Sequence, residues 1–562
     1  MFQKVIEERL QALGLPLEIN PGQFANLPDF FTEVIRRYAD RPAFSCLGQT
    51  ITYRELDEYA NAFAAYLQQH THLKPGDRIA IQLPNIIQQP IAVLGSLRAG
   101  LIVVNTNPLY TERELEHQFQ DAGAKGLVVL ANVAETAARV LQKTPLETVI
   151  VTELGDLHPF PKRQILNFVI RHVKKMVPDY SIPKAIPFTR VLQKGRGLVV
   201  KKVTPAADDV AMLQYTGGTT GVAKGAMLTH RNLIANTLQC GSIFPTYGLT
   251  DQGDRVIQPL PLYHIYAVII SYIVMLKGGH VILIPNPRDI PALVREMGKW
   301  RFDGFCGLNT LFVALCNNEE FRRLDFSHLK MTLSGGMALT RFAAESWKKV
   351  TGCDVCEGYG LTETSPVVSV NSGNGNRLGT IGVPVPSTRI DLRDDQGQSV
   401  GIGEEGELCI KGPQVMKGYW QREEATAEVL KDGWLASGDI AVMDDQGYLK
   451  IVDRKKDMIN VSGFKVFPNE VEDVITSHPS ILEAAVIGLK DEKTGEGVFA
   501  YVVKTPTGEV TEEDVIAHCR GFLAAYKVPK RVYFVAELPK SNVGKVLRRK
   551  LKEEVMQKGQ AL

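Results

Sequence analysis

The sequence of 562 residues is long enough for several domains, and its 44% apolar and 22% charged residues are ordinary for a globular protein. The net charge is +2 and the sequence pI is about 8.0, so nucleic acid is not expected as the main ligand. The eight cysteines are scattered, and the pair Cys353 and Cys356 has no second Cys or His pair nearby. This pattern favours free core thiols over a zinc site, and the absence of a secretory signal favours a cytoplasmic setting.

Short apolar runs alternate with helical patterns over the first 150 residues. The runs at residues 78–83, 101–104, 126–130 and 148–151 predict buried strands, and residues 88–98 predict a helix between the first two. Alternation of strand and helix is typical of a parallel, doubly wound sheet. The sequence therefore predicts an α/β fold for this part of the chain.

Residues 163–176 interrupt this rhythm. Apolar side chains are interspersed with Arg163, Arg171, Lys174 and Lys175, as in a basic amphipathic helix. Such a helix can lie on an anionic membrane surface, but it can equally be a surface helix packed on its own domain with its lysines solvated. Both interpretations stay open.

A glycine-rich segment at residues 215–225 follows a short apolar run that predicts a buried strand. Glycines let the backbone approach a ligand closely, and successive N–H groups can converge on phosphate oxygens. The segment is not a Walker A loop, because Ala223 precedes the lysine. Thr229 is a candidate N-cap for a helix beginning near His230. The residues that we expect to hold phosphate groups are Thr216, Gly217, Gly218, Thr219, Thr220, Gly221 and Lys224.

Three further segments carry candidate ligand-binding residues. His264 lies between a proline-rich turn and the apolar run 265–276, which is too short to span a bilayer. Residues 331–337 and 356–363 predict strands that end in glycine turns, where open α/β sheets bind ligands. In the second of these turns Tyr359 offers a flat face for a base, and Glu363 offers an oxygen ligand for Mg²⁺.

From about residue 380 the composition changes to short strands and turns, which indicates a small β-rich subdomain. Within it Asp439 follows a glycine and could accept both hydroxyls of a ribose, or could form an Asx turn. A charge cluster at 453–457 marks the end of this region. Helices and strands then alternate in a compact domain of about a hundred residues, near whose end Lys545 lies in a polar loop.

Together these segments resemble the adenylate-forming superfamily, which includes acyl-CoA synthetases, adenylation domains and firefly-type luciferases. The resemblance runs from about residue 30 to residue 550 and is carried by blocks in fixed order at residues 215–225, 359–363, 434–439, 453–463 and 539–545. Three further segments are similar to bacterial long-chain fatty-acyl-CoA synthetases, namely residues 107–110, 286–290 and 451–458.

The resemblance implies activation of a fatty acid by ATP, through an acyl adenylate that coenzyme A converts to a thioester. It implies a catalytic Lys545 that bridges the fatty carboxylate and the α-phosphate, with Thr362 at the α-phosphate and His264 between the acyl and CoA channels. Magnesium would be held at Thr216 and Glu363, and CoA would contact Ser462, Gly463 and Phe464. The other nucleotide-binding residues implied are Gly335, Gly336, Glu357, Gly358, Tyr359, Asp439 and Arg454.

The resemblance also implies a domain division. A large N-terminal adenylation domain of doubly wound sheets covers residues 1–455, with its β-rich subdomain at about 380–453. A small, mobile C-terminal α/β domain covers residues 456–562, and Lys456 is the expected hinge.

The acyl site departs from some long-chain relatives. An aromatic gate stands four residues after the corresponding histidine in those proteins, whereas Val268 occupies that position here. We expect residues 265–276 and 304–310 to line a tunnel for a long acyl chain.

Alternative functions remain at this stage. An adenylating enzyme for a medium-chain, aryl or amino acid is one, and a luciferase is a variant of it. A fatty-acid uptake protein with a regulatory nucleotide site is another, although a binder needs neither Lys545 nor Glu363. A peripheral contact with an anionic membrane is a hypothesis, and a homodimer is left open.

Overall fold

The computed structural model describes residues 1–216, 223–462, 464–491, 494–505, 508–540 and 546–558. Seven residues that the sequence analysis assigns to a site lie outside these ranges: Gly217, Gly218, Thr219, Thr220, Gly221, Gly463 and Lys545. The predicted α/β class is confirmed, with a large N-terminal domain and a smaller C-terminal domain.

The strands of the large domain, numbered in chain order, are β1 Pro42–Cys46, β2 Gln49–Thr52, β3 Arg78–Gln82, β4 Ile102–Asn105, β5 Ala124–Leu130, β6 Thr148–Thr152, β7 Ile186–Pro187, β8 Val210–Thr216, β9 Lys224–Thr229, β10 Arg255–Gln258, β11 His280–Leu283, β12 Gly304–Gly307, β13 Met331–Gly335, β14 Val355–Gly360, β15 Val367–Val370, β16 Val383–Pro384, β17 Arg389–Arg393, β18 Gly406–Lys411, β19 Leu430–Lys431, β20 Trp434–Met443 and β21 Leu449–Arg454. Those of the small domain are β22 Ile459–Val461, β23 Phe464–Val466, β24 Ile481–Asp491, β25 Gly495–Lys504 and β26 Arg531–Phe534.

The α-helices are α1 Phe2–Ala12, α2 Leu27–Tyr38, α3 Tyr53–His70, α4 Gln88–Arg98, α5 Glu112–Ala122, α6 Ala134–Val140, α7 Lys162–Phe168, α8 Phe188–Gly195, α9 His230–Gly241, α10 Ile265–Leu276, α11 Ile290–Met297, α12 Asn309–Cys316, α13 Glu319–Arg322, α14 Arg341–Thr351, α15 Glu423–Val429, α16 Pro468–Thr476, α17 Glu512–Phe522 and α18 Arg548–Lys558. Several begin at a threonine that accepts a hydrogen bond from the third residue of the helix. Thr229 does so at α9, as its sequence position predicts.

Two large sheets form the body of the N-terminal domain. One has the strand order β7-β6-β5-β3-β4-β8-β9, and all its pairs are parallel except β8 with β9. The other has the order β16-β15-β14-β13-β12-β10-β11-β1-β2, with a parallel centre from β14 to β1 and antiparallel edges. The near-continuous burial of the central strands is what parallel sheets covered by helices on both faces require.

The β-rich subdomain is an antiparallel sheet of strands β17 to β21, within the range that the sequence indicates. In the small domain, β23, β22, β25 and β24 are antiparallel and β26 adds a parallel strand to β25. The eight cysteines are all free and buried, as the sequence predicts.

Two local differences from the sequence analysis affect the site. The apolar residues 226–228 form part of β9, so the glycine-rich segment joins two antiparallel strands before α9 begins. The basic segment is α-helical only from Lys162 to Phe168 and continues as a π-helix, Val169–Val173. Lys174 and Lys175 therefore follow the helix. None of the helices in the described ranges is long and apolar enough to cross a membrane.

Candidate functional site

Two glycine turns at the carboxyl ends of β13 and β14 lie side by side. Gly335 and Gly358 are paired in the parallel ladder, so their turns leave the sheet at the same edge. A Cβ atom at Gly335 would lie 3.2 Å from the ring of Tyr266, and Gly336 has a φ of +83°. Side chains at these positions would fill the space or strain the backbone, which leaves a backbone-lined surface at the strand ends.

Glu357 directly precedes Gly358 on β14 and is buried. Its Oε1 accepts a hydrogen bond from the Leu339 N–H at 3.1 Å, and its backbone carbonyl accepts one from the Asn371 N–H. Burial raises the pKa of Glu357 to about 8, with a further rise from Asp473 that the Leu339 hydrogen bond opposes. The carboxyl group is therefore held against the backbone of Leu339, in the segment that follows β13.

Tyr359, Asp439 and Arg454 form one polar cluster. The Tyr359 hydroxyl donates to Asp439 Oδ2 at 2.5 Å, and Arg454 Nε lies 3.3 Å from Asp439 Oδ1. Asp439 on β20 is the register partner of Arg454 on β21, and its side chain is almost fully buried. Burial and the neighbouring carboxylate raise the pKa of Tyr359 well above its usual range. The Asp439 carboxylate accepts the Tyr359 hydrogen bond and pairs with Arg454. Among the described residues it forms no Asx turn, which was the alternative interpretation.

A second cluster joins the glycine-rich segment to Glu363. Thr216 and Lys224 are the register pair at the loop end of the β8–β9 hairpin. Lys224 Nζ lies 5.2 Å from the centre of the Tyr419 ring, a cation–π distance. The Tyr419 hydroxyl donates to Glu363 Oε1 at 2.7 Å. Residues 359–363 thus connect both clusters within five positions of the chain.

Tyr419 is a site residue that the sequence analysis missed. Its segment runs beside β9, where Met227 N–H donates to the Gly418 carbonyl and Trp420 N–H donates to the Gly225 carbonyl, both at 2.8 Å. These bonds join parts of the chain nearly two hundred residues apart. A glycine followed by two aromatic residues is the only local signal, and it is common in turns that bind nothing.

Thr362 directly precedes Glu363, and His264 lies at the start of α10. Thr362 begins a 3-10 turn, Thr362–Thr364, directly before Ser365. His264 is the N-cap of α10, and its Nδ1 accepts a hydrogen bond from the Tyr266 N–H at 3.3 Å. This contact fixes the histidine ring at the start of the apolar helix.

Within the described ranges, Glu363 accepts one side-chain hydrogen bond, at Oε1, and no group of three or more His, Cys, Asp or Glu residues could enclose a metal. Magnesium is bound in many proteins by one or two carboxylates together with substrate phosphates. The carboxylate of Glu363, beside the glycine-rich hairpin, fits that mode, and Thr216 lies at the end of the hairpin strand.

The junction of the two domains is polar. Asp453 is fully buried at the end of β21, where its Oδ2 accepts a hydrogen bond from the Asn469 N–H at 2.7 Å. Arg548 Nη1 lies 3.5 Å from Asp453 and 3.3 Å from Asp457. Burial raises the pKa of Asp453 to about 6 although Arg548 lowers it. Lys456 lies in the turn between these carboxylates with its side chain exposed, and partial desolvation of its ammonium group lowers its pKa.

The residues expected to meet CoA lie on the small domain. Ser462 has a φ of +52° and donates its N–H to the Thr494 carbonyl at 2.8 Å. Phe464 is 57% exposed, and its ring stacks on Tyr526 with centroids 4.9 Å apart. Tyr526 is a second residue that sequence reasoning missed, because the two rings are about sixty residues apart in the chain.

A small, mainly apolar cavity lies along one face of α10. Its α10 wall includes Val268, Tyr272 and Met275, and Phe31 of α2 and Phe44 of β1 lie among the opposite walls. Residues of the segment 265–276 thus line a cavity, and the binding of an acyl chain there stays a prediction.

The described lining of this cavity includes none of residues 304–310, and their place along an acyl tunnel stays a prediction. β12 lies in the middle of the nine-stranded sheet, and Phe305 stacks on Trp347 with ring centroids 5.1 Å apart. Its side chains therefore contribute to a separate aromatic core.

We expect Glu357 to reduce stability as the pH rises. Its pKa in the folded protein lies above the ordinary value of 4.5, so its contribution is complete below that value and is lost as the pH rises through about 8. The loss is at most about 1.4 kcal/mol per pH unit. Glu357→Gln has no titrating group at this position. The melting temperature of the variant minus that of the wild type, measured by scanning calorimetry, should therefore rise steadily as the pH increases from 4.5 to about 8. A constant difference would contradict the raised pKa.

Comparison with known proteins places the chain in a family. A family model described as "AMP-binding enzyme" matches residues 31–420, and one described as "AMP-binding enzyme C-terminal domain" matches residues 470–545. The chain is 51% identical over 560 residues to the long-chain-fatty-acid–CoA ligase of Yersinia pestis, covering 99% of each protein. It is 52% identical over 544 residues to the ligase of that name from Escherichia coli O157:H7, covering 96% of each.

Solved structures agree with this result. ATP-bound MatB from Rhodopseudomonas palustris superimposes on the chain with a TM-score of 0.80 at 29% identity, over 94% of this chain and 99% of MatB. The matched range 31–420 includes Tyr359 and the whole Lys224–Tyr419–Glu363 cluster, whereas Asp439 and Arg454 lie between the two matched ranges. The chain therefore belongs to the AMP-binding enzyme family.

Proposed function

We propose that this protein is an AMP-forming ligase that activates long-chain fatty acids to acyl-CoA with ATP and coenzyme A, the first step of fatty-acid degradation. The observation that carries the proposal is the connection of the Tyr359–Asp439–Arg454 cluster to the Lys224–Tyr419–Glu363 cluster. One cluster suits a nucleoside and the other suits its phosphates and a cation. The names of full-length relatives at about half identity support the fatty acid and CoA as co-substrates.

This reaction requires the enzyme to position the substrates more than to form covalent bonds with them. A carboxylate is a poor electrophile, and attack of its oxygen on the α-phosphorus of ATP forms an acyl adenylate as pyrophosphate leaves. The CoA thiolate then attacks the acyl carbonyl, and AMP leaves. Because charge on the phosphates must be stabilised while the reactants are held in line, oriented backbone groups and cations contribute most.

In this proposal Asp439 accepts the ribose hydroxyls while Tyr359 and Arg454 hold its carboxylate in place. Gly335, Gly336, Glu357 and Gly358 form the wall of the adenine slot. Lys224 and Thr216, with the glycine-rich residues outside the described ranges, bind the β- and γ-phosphates, and Thr362 contacts the α-phosphate. Tyr419 orients Glu363 by its hydrogen bond and Lys224 by its ring. Magnesium, held at Glu363 and Thr216, would neutralise phosphate charge.

Lys545 and the acyl cavity complete the site. We assign to Lys545, which lies outside the described ranges, the bridge between the fatty carboxylate and the α-phosphate. The cavity beside α10 would hold the alkyl chain, with His264 at its head. Each buried methylene contributes about 0.8 kcal/mol, so a filled cavity favours long chains.

The first test follows turnover along a series of saturated acids. We expect pyrophosphate release and thioester formation that both require ATP, with kcat/KM rising from octanoate and levelling off once the cavity is filled. Val268→Trp should depress activity on the longest acids more than on octanoate, because the residue lines the cavity. Val313→Trp on α12 is a control outside the cavity lining. Preference for acetate or an aromatic acid would remove the long-chain assignment, and absence of fatty-acid-dependent pyrophosphate release would contradict the ligase.

The two half-reactions need different groups at one site, because Lys545 must leave before the CoA thiol can approach. We propose that the small domain rotates about Lys456, which brings Ser462, Gly463 and Phe464 to CoA. Polar contacts across the junction support this, since Asp453 with Asn469 and Arg548, and Lys465 with Asp395 at 3.2 Å, can exchange for water. Junctions of this kind permit relative domain motion more readily than large apolar ones.

Lys456→Pro should separate the half-reactions. Proline fixes φ and restricts the preceding residue, so the variant should release pyrophosphate with fatty acid and ATP but form little thioester. Lys456→Ala keeps the backbone freedom and is the matched control, which should support both steps. Wild-type rates of thioester formation in the proline variant would exclude the hinge.

We also propose a peripheral membrane contact for the segment around α7. Five large apolar side chains of this segment are at least half exposed: Phe160, Ile165, Phe168, Val173 and Met176. Lys174 and Lys175 are exposed beside them, whereas Arg171 forms an ion pair with Glu153. Apolar side chains bordered by exposed cations suit an anionic bilayer surface, into which long-chain fatty acids partition.

The membrane contact is tested by charge reversal. Each lysine near an anionic surface contributes about 1 kcal/mol, so Lys174→Glu with Lys175→Glu should weaken binding to phosphatidylserine-containing vesicles by roughly thirtyfold or more. Binding of the wild type should also fall with salt. The pair Lys201→Glu and Lys202→Glu changes the net charge equally at another exposed segment and should bind like the wild type. Equal loss in both pairs would exclude this surface.

A further inference from the structure

The proposed acyl cavity is lined by one tyrosine whose hydroxyl makes no hydrogen bond to the described residues. Tyr272 lines the cavity and is only 6% exposed, and its hydroxyl has no hydrogen-bond partner among the described residues. Two other buried tyrosines of this domain are paired, Tyr53 with the Gly279 carbonyl and Tyr247 with the Asn371 carbonyl, both at 2.6 Å. Leaving a buried hydroxyl unpaired costs about 1–3 kcal/mol, so this position calls for a partner.

The neighbouring polar side chains do not supply that partner. Gln89 donates through Nε2 to the Leu262 carbonyl at 3.3 Å, and Ser271 donates to the Ala267 carbonyl at 2.9 Å. Phe31 packs edge-to-face on the Tyr272 ring with centroids 5.0 Å apart, which restricts movement of the ring. The rest of the lining is mostly apolar, so a bound water would find few of the two to four partners that it needs.

The position of Tyr272 along α10 indicates where such a partner would lie. Tyr272 follows His264 by eight residues, which corresponds to about 12 Å along the helix, the span of about ten extended methylene groups. Val268 and Met275 lie on the same helix face and also line the cavity. A chain that enters at His264 and follows this face would therefore reach Tyr272 with its distal carbons.

We propose that Tyr272 is a specificity-determining residue that hydrogen-bonds a hydroxyl group on the distal part of an acyl chain. The site would thereby accept hydroxylated fatty acids as well as plain ones, an inference that rests on the proposed function. A hydroxyl that enters an apolar cavity loses its hydrogen bonds to water. The Tyr272 hydroxyl restores one of these hydrogen bonds and gains a partner. An acyl chain without a hydroxyl group leaves the Tyr272 hydroxyl unpaired.

The test compares dodecanoate with 12-hydroxydodecanoate on the full-length protein, as kcat/KM for thioester formation and as affinity by titration calorimetry. Tyr272→Phe keeps the ring and its packing on Phe31 but removes the hydroxyl. We expect it to lower kcat/KM and affinity for the hydroxy acid by about tenfold, the effect of one net hydrogen bond, while values for dodecanoate stay the same or rise.

Tyr38→Phe is the matched control. Tyr38 is also buried with a hydroxyl that has no hydrogen-bond partner in the described chain, but it does not line this cavity, so the variant should keep the wild-type ratio between the two acids. Palmitate and 16-hydroxypalmitate provide a second control, because their terminal group lies beyond the position that Tyr272 reaches. Their ratio should respond less to Tyr272→Phe than the twelve-carbon ratio does.

The proposal would be overturned if Tyr272→Phe left the ratio of kcat/KM for 12-hydroxydodecanoate to that for dodecanoate unchanged. An equal loss of activity on both acids would overturn it as well. A wild type that turns over neither acid would contradict the proposed function instead, and the calorimetric ratio would then still decide the role of Tyr272. If Tyr272→Phe fails to fold, Tyr272→Met serves the same purpose, because it fills similar space without a hydrogen-bond donor.

Discussion

The buried carboxylate of Asp439 is the constraint on which the site depends. Tyr359 reaches it from the end of a strand in the nine-stranded sheet, and Arg454 reaches it from the neighbouring strand of the β-rich subdomain. A buried charge that loses its partners destabilises a protein by about 3–5 kcal/mol, so the three side chains hold two sheets in a fixed relation. The surface that we propose for the nucleoside is consequently rigid before any ligand arrives, which would reduce the entropy lost on binding.

The same strand connects this rigid surface to the small domain. Arg454 belongs to the nucleoside cluster, and the preceding residue, Asp453, accepts a hydrogen bond from the backbone N–H of Asn469 in the small domain. Because alternate residues of a strand face opposite sides, β21 presents one side chain to the site and the next to α16. A change in the orientation of the small domain would therefore act on Asp453 while Arg454 keeps its place. In the proposed domain rotation, this arrangement would separate a fixed nucleotide site from the moving small domain.

Much of this architecture follows from the sequence, and the parts that do not have a common physical cause. Apolar periodicity predicts the strands and helices, and glycine, threonine and charged residues at strand ends mark Tyr359, Glu363 and Asp439. The hairpin partner β9, the position of Tyr419 and the walls of the acyl cavity depend on pairings between distant segments. Tyr419 meets β9 across nearly two hundred residues, and Phe31 meets Tyr272 across more than two hundred. Local patterns carry no information on such contacts.

The location of the proposed acyl cavity would allow one nucleotide site to serve different acids. The cavity is lined mainly by α2, β1, α3, α4 and α10, none of which contributes a residue to the two polar clusters. Substitutions such as a larger side chain at Val268 change the shape and polarity of the cavity without touching Asp439 or Glu363. In the proposed function, the alkyl chain would bind there, remote from the reacting carboxylate, and its binding energy would hold that carboxylate in line with the α-phosphate. In this proposal, selectivity for the acid depends mainly on side chains of helices that line the cavity, whereas the reaction depends on residues of strands and turns.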